Sequence, residues 1–78
     1  MQSIQSGDLV WVKADWANIR ENSTTVNSRV IDVAGRGARL VIISQNEKGD
    51  WFWIRSPDQK YGWISRKCIM KDYIDTLR

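Results

Sequence analysis

Apolar and polar residues alternate along this chain in short stretches with a period of two, broken at regular intervals by turn-forming residues. Val10 and Val12 alternate with Leu9, Trp11 and Lys13 after the turn-like Ser6-Gly7-Asp8, which predicts a first strand over 9–12. The chain then becomes polar. Glu21 to Asn27, with its Asn, Ser and Thr residues, has the composition of a surface loop in which side-chain oxygens bond the local backbone. Such a loop is long for a small domain, and long ordered loops are often functional.

Val30-Ile31-Asp32-Val33 is a short apolar patch, stopped by Ala34-Gly35-Arg36-Gly37, whose glycines suit a tight turn. Arg39 to Ser44 is rich in β-branched residues and too short for a typical helix, so a second strand is expected there. Asn46 to Asp50 supplies a glycine-containing hairpin loop before a third, aromatic strand over 51–55. Ser56 to Lys60 carries the only proline, placed where its fixed φ suits a turn, and Tyr61 to Ser65 is a fourth strand. Short strands at this spacing predict an all-β domain, a small barrel or sandwich, because parallel sheets need longer crossovers. Only the tail differs: Ile69, Tyr73 and Leu77 recur every four residues, the spacing of a short C-terminal helical turn.

Size sharpens this picture. A chain of 78 residues has room for one domain and buries only about 60% of the surface its unfolded form exposes. The expected division is an N-terminal extension over 1–8, a folded unit over 9–69 and a tail over 70–78. The longest apolar run, Leu40-Val41-Ile42-Ile43, is far short of a membrane span, so no membrane insertion is expected. The N-terminus lacks the basic start and apolar stretch of a secretory signal. A complete chain would therefore be cytoplasmic, and one excised from a longer exported protein would belong to the envelope or be secreted. Cys68, the only cysteine, excludes an internal disulfide framework and a multi-cysteine zinc site. The net charge of +3 arises from scattered residues, a mild bias and not a nucleic-acid stripe.

Three stretches, in order and at matching spacing from about Val10 to Ile69, resemble the bacterial SH3-like (Src-homology-3 type) domain family. Ala17-Asn18-Ile19-Arg20 looks like the family's Asn-Val-Arg signature. Gly49-Asp50-Trp51-Phe52-Trp53-Ile54 is similar to its Gly-Asp-Trp-x-x-Val strand, and Tyr61-Gly62-Trp63-Ile64 to its closing Gly-Trp-Val. Gly37 falls where the family carries a glycine before a β-branched strand. The sequence departs from the family after Arg20, where Glu21-Asn22 and then Ser23-Thr24-Thr25 replace the common Gly-Pro pair. The resemblance implies a five- to six-stranded, strongly bent barrel that serves as an attachment or recognition module, in many members for peptidoglycan or peptide.

Five tryptophans in so short a chain are a heavy aromatic load, and aromatics serve both as core filling and as binding anchors. Alternation puts Trp51 and Trp53 on one face of their strand and Phe52 and Ile54 on the other. With Phe52 and Ile54 inward, Trp51 and Trp53 are left partly exposed, either lining a ligand groove or packed under the long loop or the tail. Trp16 either completes an aromatic wall with Trp53 and Tyr61, as in grooves that dock extended peptides, or anchors the loop. Asn18 and Arg20 flank Ile19, expected in the core, and are read as loop-fixing residues. Gly62 leaves room for a close neighbour, and Trp63 beside it is read as structural.

Chemistry of a catalytic kind is not assembled in this sequence. Without histidine the commonest general base and zinc ligand is missing, and the carboxylates lie in turns or the tail without a pairing spacing. No cofactor or metal site is expected. The leading expectation is a non-catalytic binding module that holds a peptide or peptidoglycan ligand on Trp16, Trp51, Trp53 and Tyr61. A structural module packing the same aromatics on a protein partner or a second copy is the alternative. Single-stranded nucleic acid binding, through stacking on aromatics between basic residues, is the weaker third.

Overall fold

The computed structural model describes residues 4–71. Within them the chain forms seven strands: β1 (Leu9–Val12), β2 (Trp16–Arg20), β3 (Val30–Gly35), β4 (Arg39–Gln45), β5 (Trp51–Arg55), β6 (Tyr61–Ser65) and β7 (Ile69–Lys71). All pairings are antiparallel, in one sheet of order β3-β2-β6-β5-β4-β1-β7. The fold is all-β, as the alternation predicts. Among the described residues no helix is long and apolar enough to cross a membrane.

The order of the strands forces the sheet to curl. β1 and β2 stand four places apart in it, as do β3 and β4. In a flat sheet that separation would be about 19 Å, whereas the three residues joining each pair span at most about 14 Å. The register shows how the curl is made. β1 with β4 and β2 with β3 are two halves of one long hairpin, pairing Leu9 with Val41 at its base and Arg20 with Val30 near its tip. It bends sharply where residues 13–15 face 36–38. There Gly37 has φ +87°, donates its N–H to Val12 O, and Arg36 N–H reaches Asp15 O. A residue with a Cβ would be strained at that φ. The β5–β6 hairpin is held between the two halves, β5 on β4 and β6 on β2.

One core fills the curled sheet. Val10, Val12, Ala17, Ile19, Ala34, Leu40, Ile42, Phe52, Ile54, Ile64 and Ile69 are all buried and form a single cluster. The inward assignment of Ile19, Phe52 and Ile54 therefore holds. The apolar patch of β3 is a different matter: Val30, Ile31 and Val33 are exposed, and only Ala34 points into the core. The reason is position, because β3 is an edge strand paired with β2 alone. Its edge is partly blocked, since the Val33 N–H is taken up by Asp32 Oδ1 at 2.8 Å. Charged groups at such an edge discourage pairing with other chains.

Both ends of the described stretch are drawn in more closely than the sequence suggests. Residues 4–8, expected as an extension, lie on β4: Gly7 N–H donates to Ile42 O, the Ser6 hydroxyl donates to Ile43 O, and Ile4 packs on the core. At the other end a single 3-10 turn, Arg66–Cys68, leads into β7, which pairs with β1. Ile69 is thus a strand residue and not the start of a helix, because β1 offers it an unpaired ladder and a place in the core. Residues 72–77 of the expected helical turn lie outside the described residues. β7 continues the paired strands past the expected boundary at 69, up to the last described residue, Lys71.

Candidate functional site

The outer face of the β5–β6 hairpin gathers the aromatics. Phe52, Ile54 and Ile64 take the inner face, so Trp51, Trp53, Tyr61 and Trp63 must point outwards. Cross-strand register places Trp53 opposite Trp63, and Arg20 of β2 opposite Trp63 on its other side. The ring centroids of Trp53 and Trp63 are 5.5 Å apart and tilted, and those of Trp53 and Tyr61 are 6.2 Å apart and stacked. Such pairs contribute roughly 0.5–1.5 kcal/mol each beyond area burial. The rings support one another and still leave Trp53 half-buried and Tyr61 exposed.

Trp51 stands two residues along the same face, where three loops converge. The first wall is the tip of the long hairpin, which places Thr25 beside Trp51. Its base is firmly tied: Arg20 Nη1 donates to Ser28 O at 2.8 Å, and the buried Ser28 hydroxyl bonds both the N–H and the carbonyl of Asn22. The second wall is the loop over 46–50, organised by one side chain. Asn46 Oδ1 accepts from the N–H groups of Asp50 and Trp51, and its Nδ2 donates to Asp50 Oδ1 at 2.8 Å. The third is the turn Arg66–Cys68, clamped to the second by Arg66 N–H on Asp50 O and Arg66 Nη1 on Gly49 O.

Between these walls lie two adjoining clefts that share Trp51, Thr25 and Asp50. One, of about 470 Å³, runs between Ser23–Thr25 and the 46–50 loop, and the other, of about 390 Å³, reaches Ser65, Arg66 and Lys67. Replacing Asn46 with alanine should loosen the second wall and destabilise the domain by about 1–2 kcal/mol, because two backbone donors lose their acceptor. Urea denaturation measures this, and a loss under about 0.5 kcal/mol would show that the loop holds without that side chain.

Of the residues singled out in the sequence, Trp51, Trp53 and Tyr61 share this face, with Trp63 packed among them. Trp16 does not join them. It lies on the outer side of β2 opposite Gly35, four residues from Arg20 and so about 13 Å along the strand from the row of Arg20, Trp63 and Trp53. It is 65% exposed, and among the described residues the ring contacts of Trp53 and Tyr61 do not include it. Arg20 does fix the loop, through Ser28, whereas Asn18 is exposed opposite Val33. Gly62 makes room for the Ile19 side chain of β2.

Sequence reading missed Asn46, Arg66 and Lys67. An Asn four residues before Asp-Trp in a glycine-containing loop is a signal that could have marked the first, since Asn side chains commonly close such turns. Among the described residues no group of three or more His, Cys, Asp or Glu side chains is placed to hold a metal ion. The arrangement offers flat apolar rings, fixed loop walls and polar rims, which suit recognition. No known protein-family pattern matches the chain, and neither does any curated protein.

Proposed function

We propose that this chain is a non-catalytic recognition module of the SH3-like barrel type, which holds a peptide, or the peptide part of peptidoglycan, along the outer face of β5 and β6. The observation that carries the reading is the sorting of aromatics on this hairpin. Its inner face is already filled by Phe52, Ile54 and Ile64, yet Trp51, Trp53, Tyr61 and Trp63 crowd the outer one. Clustered aromatics beside preformed clefts are the usual anchors of extended ligands. The curled sheet supports the barrel type, and a fold of this kind gives no ligand by itself.

The test is a two-dimensional amide and indole NMR titration with soluble peptidoglycan fragments, on the native chain and on a Trp53→Ala, Tyr61→Ala double variant. Localised shifts at the Trp51 and Trp53 indoles are expected for the native chain, with affinity lost by at least tenfold in the double variant while its amide dispersion is kept. Undiminished binding by the folded double variant would place the site elsewhere.

A second reading, association with a protein partner, is favoured by a different surface. Trp16, Val26, Val30, Ile31 and Val33, all exposed, lie on β2, β3 and the loop between them. Replacing Asp32 with alanine should free the Val33 N–H and raise self-association, seen as a concentration-dependent sedimentation coefficient. A variant that stays as monomeric as the native chain would show that Asp32 does not guard this edge.

A further inference from the structure

Ion pairing is unevenly distributed over the molecule. Arg29, Arg36, Lys60 and Lys71 each have a carboxylate partner, in the pairs Arg29–Glu21, Arg36–Asp15, Lys60 with Asp32 and Asp58, and Lys71–Asp8. Beside Trp51 two cations stand together without such a partner. Arg66 and Lys67 are exposed on one rim of the cleft, and among the described residues neither forms an ion pair. The one carboxylate on that cleft, Asp50, accepts a hydrogen bond from Asn46 Nδ2 and leaves the two cations in local excess.

Of these cations, Arg66 is placed and not merely present. The Arg66 guanidinium is fixed by Gly49 O at 2.9 Å and lies 5.8 Å from the centre of the Phe52 ring, so it loses little freedom on meeting a ligand. With five N–H donors, a guanidinium that gives one to a carbonyl still has others to offer. Lys67 follows it directly in the 3-10 turn. The Ser65 hydroxyl and Thr25 add neutral polar groups, and the indole of Trp51 supplies an apolar surface. Cations beside an aromatic surface complement a ligand that joins a negative group to an apolar one.

We infer that the ligand of this face presents a free carboxylate to the Trp51 cleft, held between Arg66 and Lys67, with an adjoining apolar group on the Trp51 ring. The inference rests on the recognition reading above and specifies the chemistry of its ligand.

The experiment compares two probes on the full chain, a soluble muropeptide with free stem carboxylates and the same muropeptide with those carboxylates amidated. The free form should bind about five- to tenfold more tightly, and the difference should shrink as salt rises. Lys67→Glu should remove that preference by bringing the affinity for the free form down to that for the amidated form. Lys67 is the clean choice because among the described residues its side chain forms no hydrogen bond or ion pair, whereas Arg66 clamps a loop. Equal binding of the two forms, with shifts at the Trp51 indole, would overturn the carboxylate and leave the recognition reading standing. A preference that survives Lys67→Glu would likewise remove Lys67 from the role. Binding of neither form by a well-folded chain would overturn both.

Discussion

Replacing Gly62 with alanine is expected to destabilise the domain by about 2–4 kcal/mol, a large part of the roughly 4–12 kcal/mol available to a chain of this length. Gly62 lies on the inner face of β6, where β2 comes against it through the single pairing of Arg20 with Trp63. A Cβ there would overlap Ile19 Cγ2 outright and meet Ile31 Cδ1 at 3.0 Å and Arg20 O at 3.2 Å. The backbone oxygen cannot turn aside as a side-chain end can, so β2 itself would have to retreat. Relief should come from the other side of the contact. Ile19→Ala alone should cost about 2–5 kcal/mol, but added to Gly62→Ala it should cost clearly less than that. Denaturant unfolding of the four proteins gives the coupling. Strict additivity would mean that Ile19 is not what Gly62 accommodates.

Phe52→Ala should be at least as damaging, at about 3–5 kcal/mol. Phe52 is fully buried and is the largest side chain in the core, and its β5 neighbours in the sheet, β4 and β6, both pack their own inward residues beside it. A cavity of that size cannot be filled by collapse, because the sheet around it is tied by ladders on both sides. The variant should be largely unfolded at moderate temperature, with loss of the tryptophan near-ultraviolet circular dichroism. Trp53→Ala, two atoms of backbone away in effect but on the opposite face, should leave most of that stability in place. If Phe52→Ala cost less than about 1 kcal/mol, the inward assignment of Phe52 and Ile54 would have to be reversed.

The contrast between Phe52 and Trp53 was legible in the sequence because a strand repeats every two residues, and five consecutive large side chains leave only one way to bury the smaller set. Turns at 46–50 and 56–60 were legible for a similarly local reason: asparagine, glycine, proline and aspartate act on their own backbone. What local pattern does not contain is the meeting of distant strands. Trp16 is as aromatic as Trp53 and follows the same alternation, but its distance from the row is set by Arg20 facing Trp63, far along the chain. The same holds for the cleft, whose walls come from three separate loops. Gly62 stood out as small, while the identity of the neighbour it admits, Ile19, belongs to the bend of the long hairpin. Val30 and Val33 show a further limit: β-branched residues suit a strand whether or not it faces the core, so an edge strand and a central one read alike.

The pairing of β1 with β7 has a mechanical consequence. Val10 faces Lys71, and Val12 faces Ile69, so the start of the first strand and the end of the last lie side by side at one end of an antiparallel pair. Tension applied to the two ends of the described residues would therefore fall first on the contacts of residues 4–8 with β4 and on the Asp8–Lys71 ion pair, with Oδ2 and Nζ at 3.4 Å, and then on the ladder bonds one after another, as a zip opens. Bonds loaded singly yield at lower force than bonds sheared together. Under load this domain should peel from its β7 edge before the β5–β6 hairpin feels any strain, so that the aromatic face would be the last part of the sheet to let go.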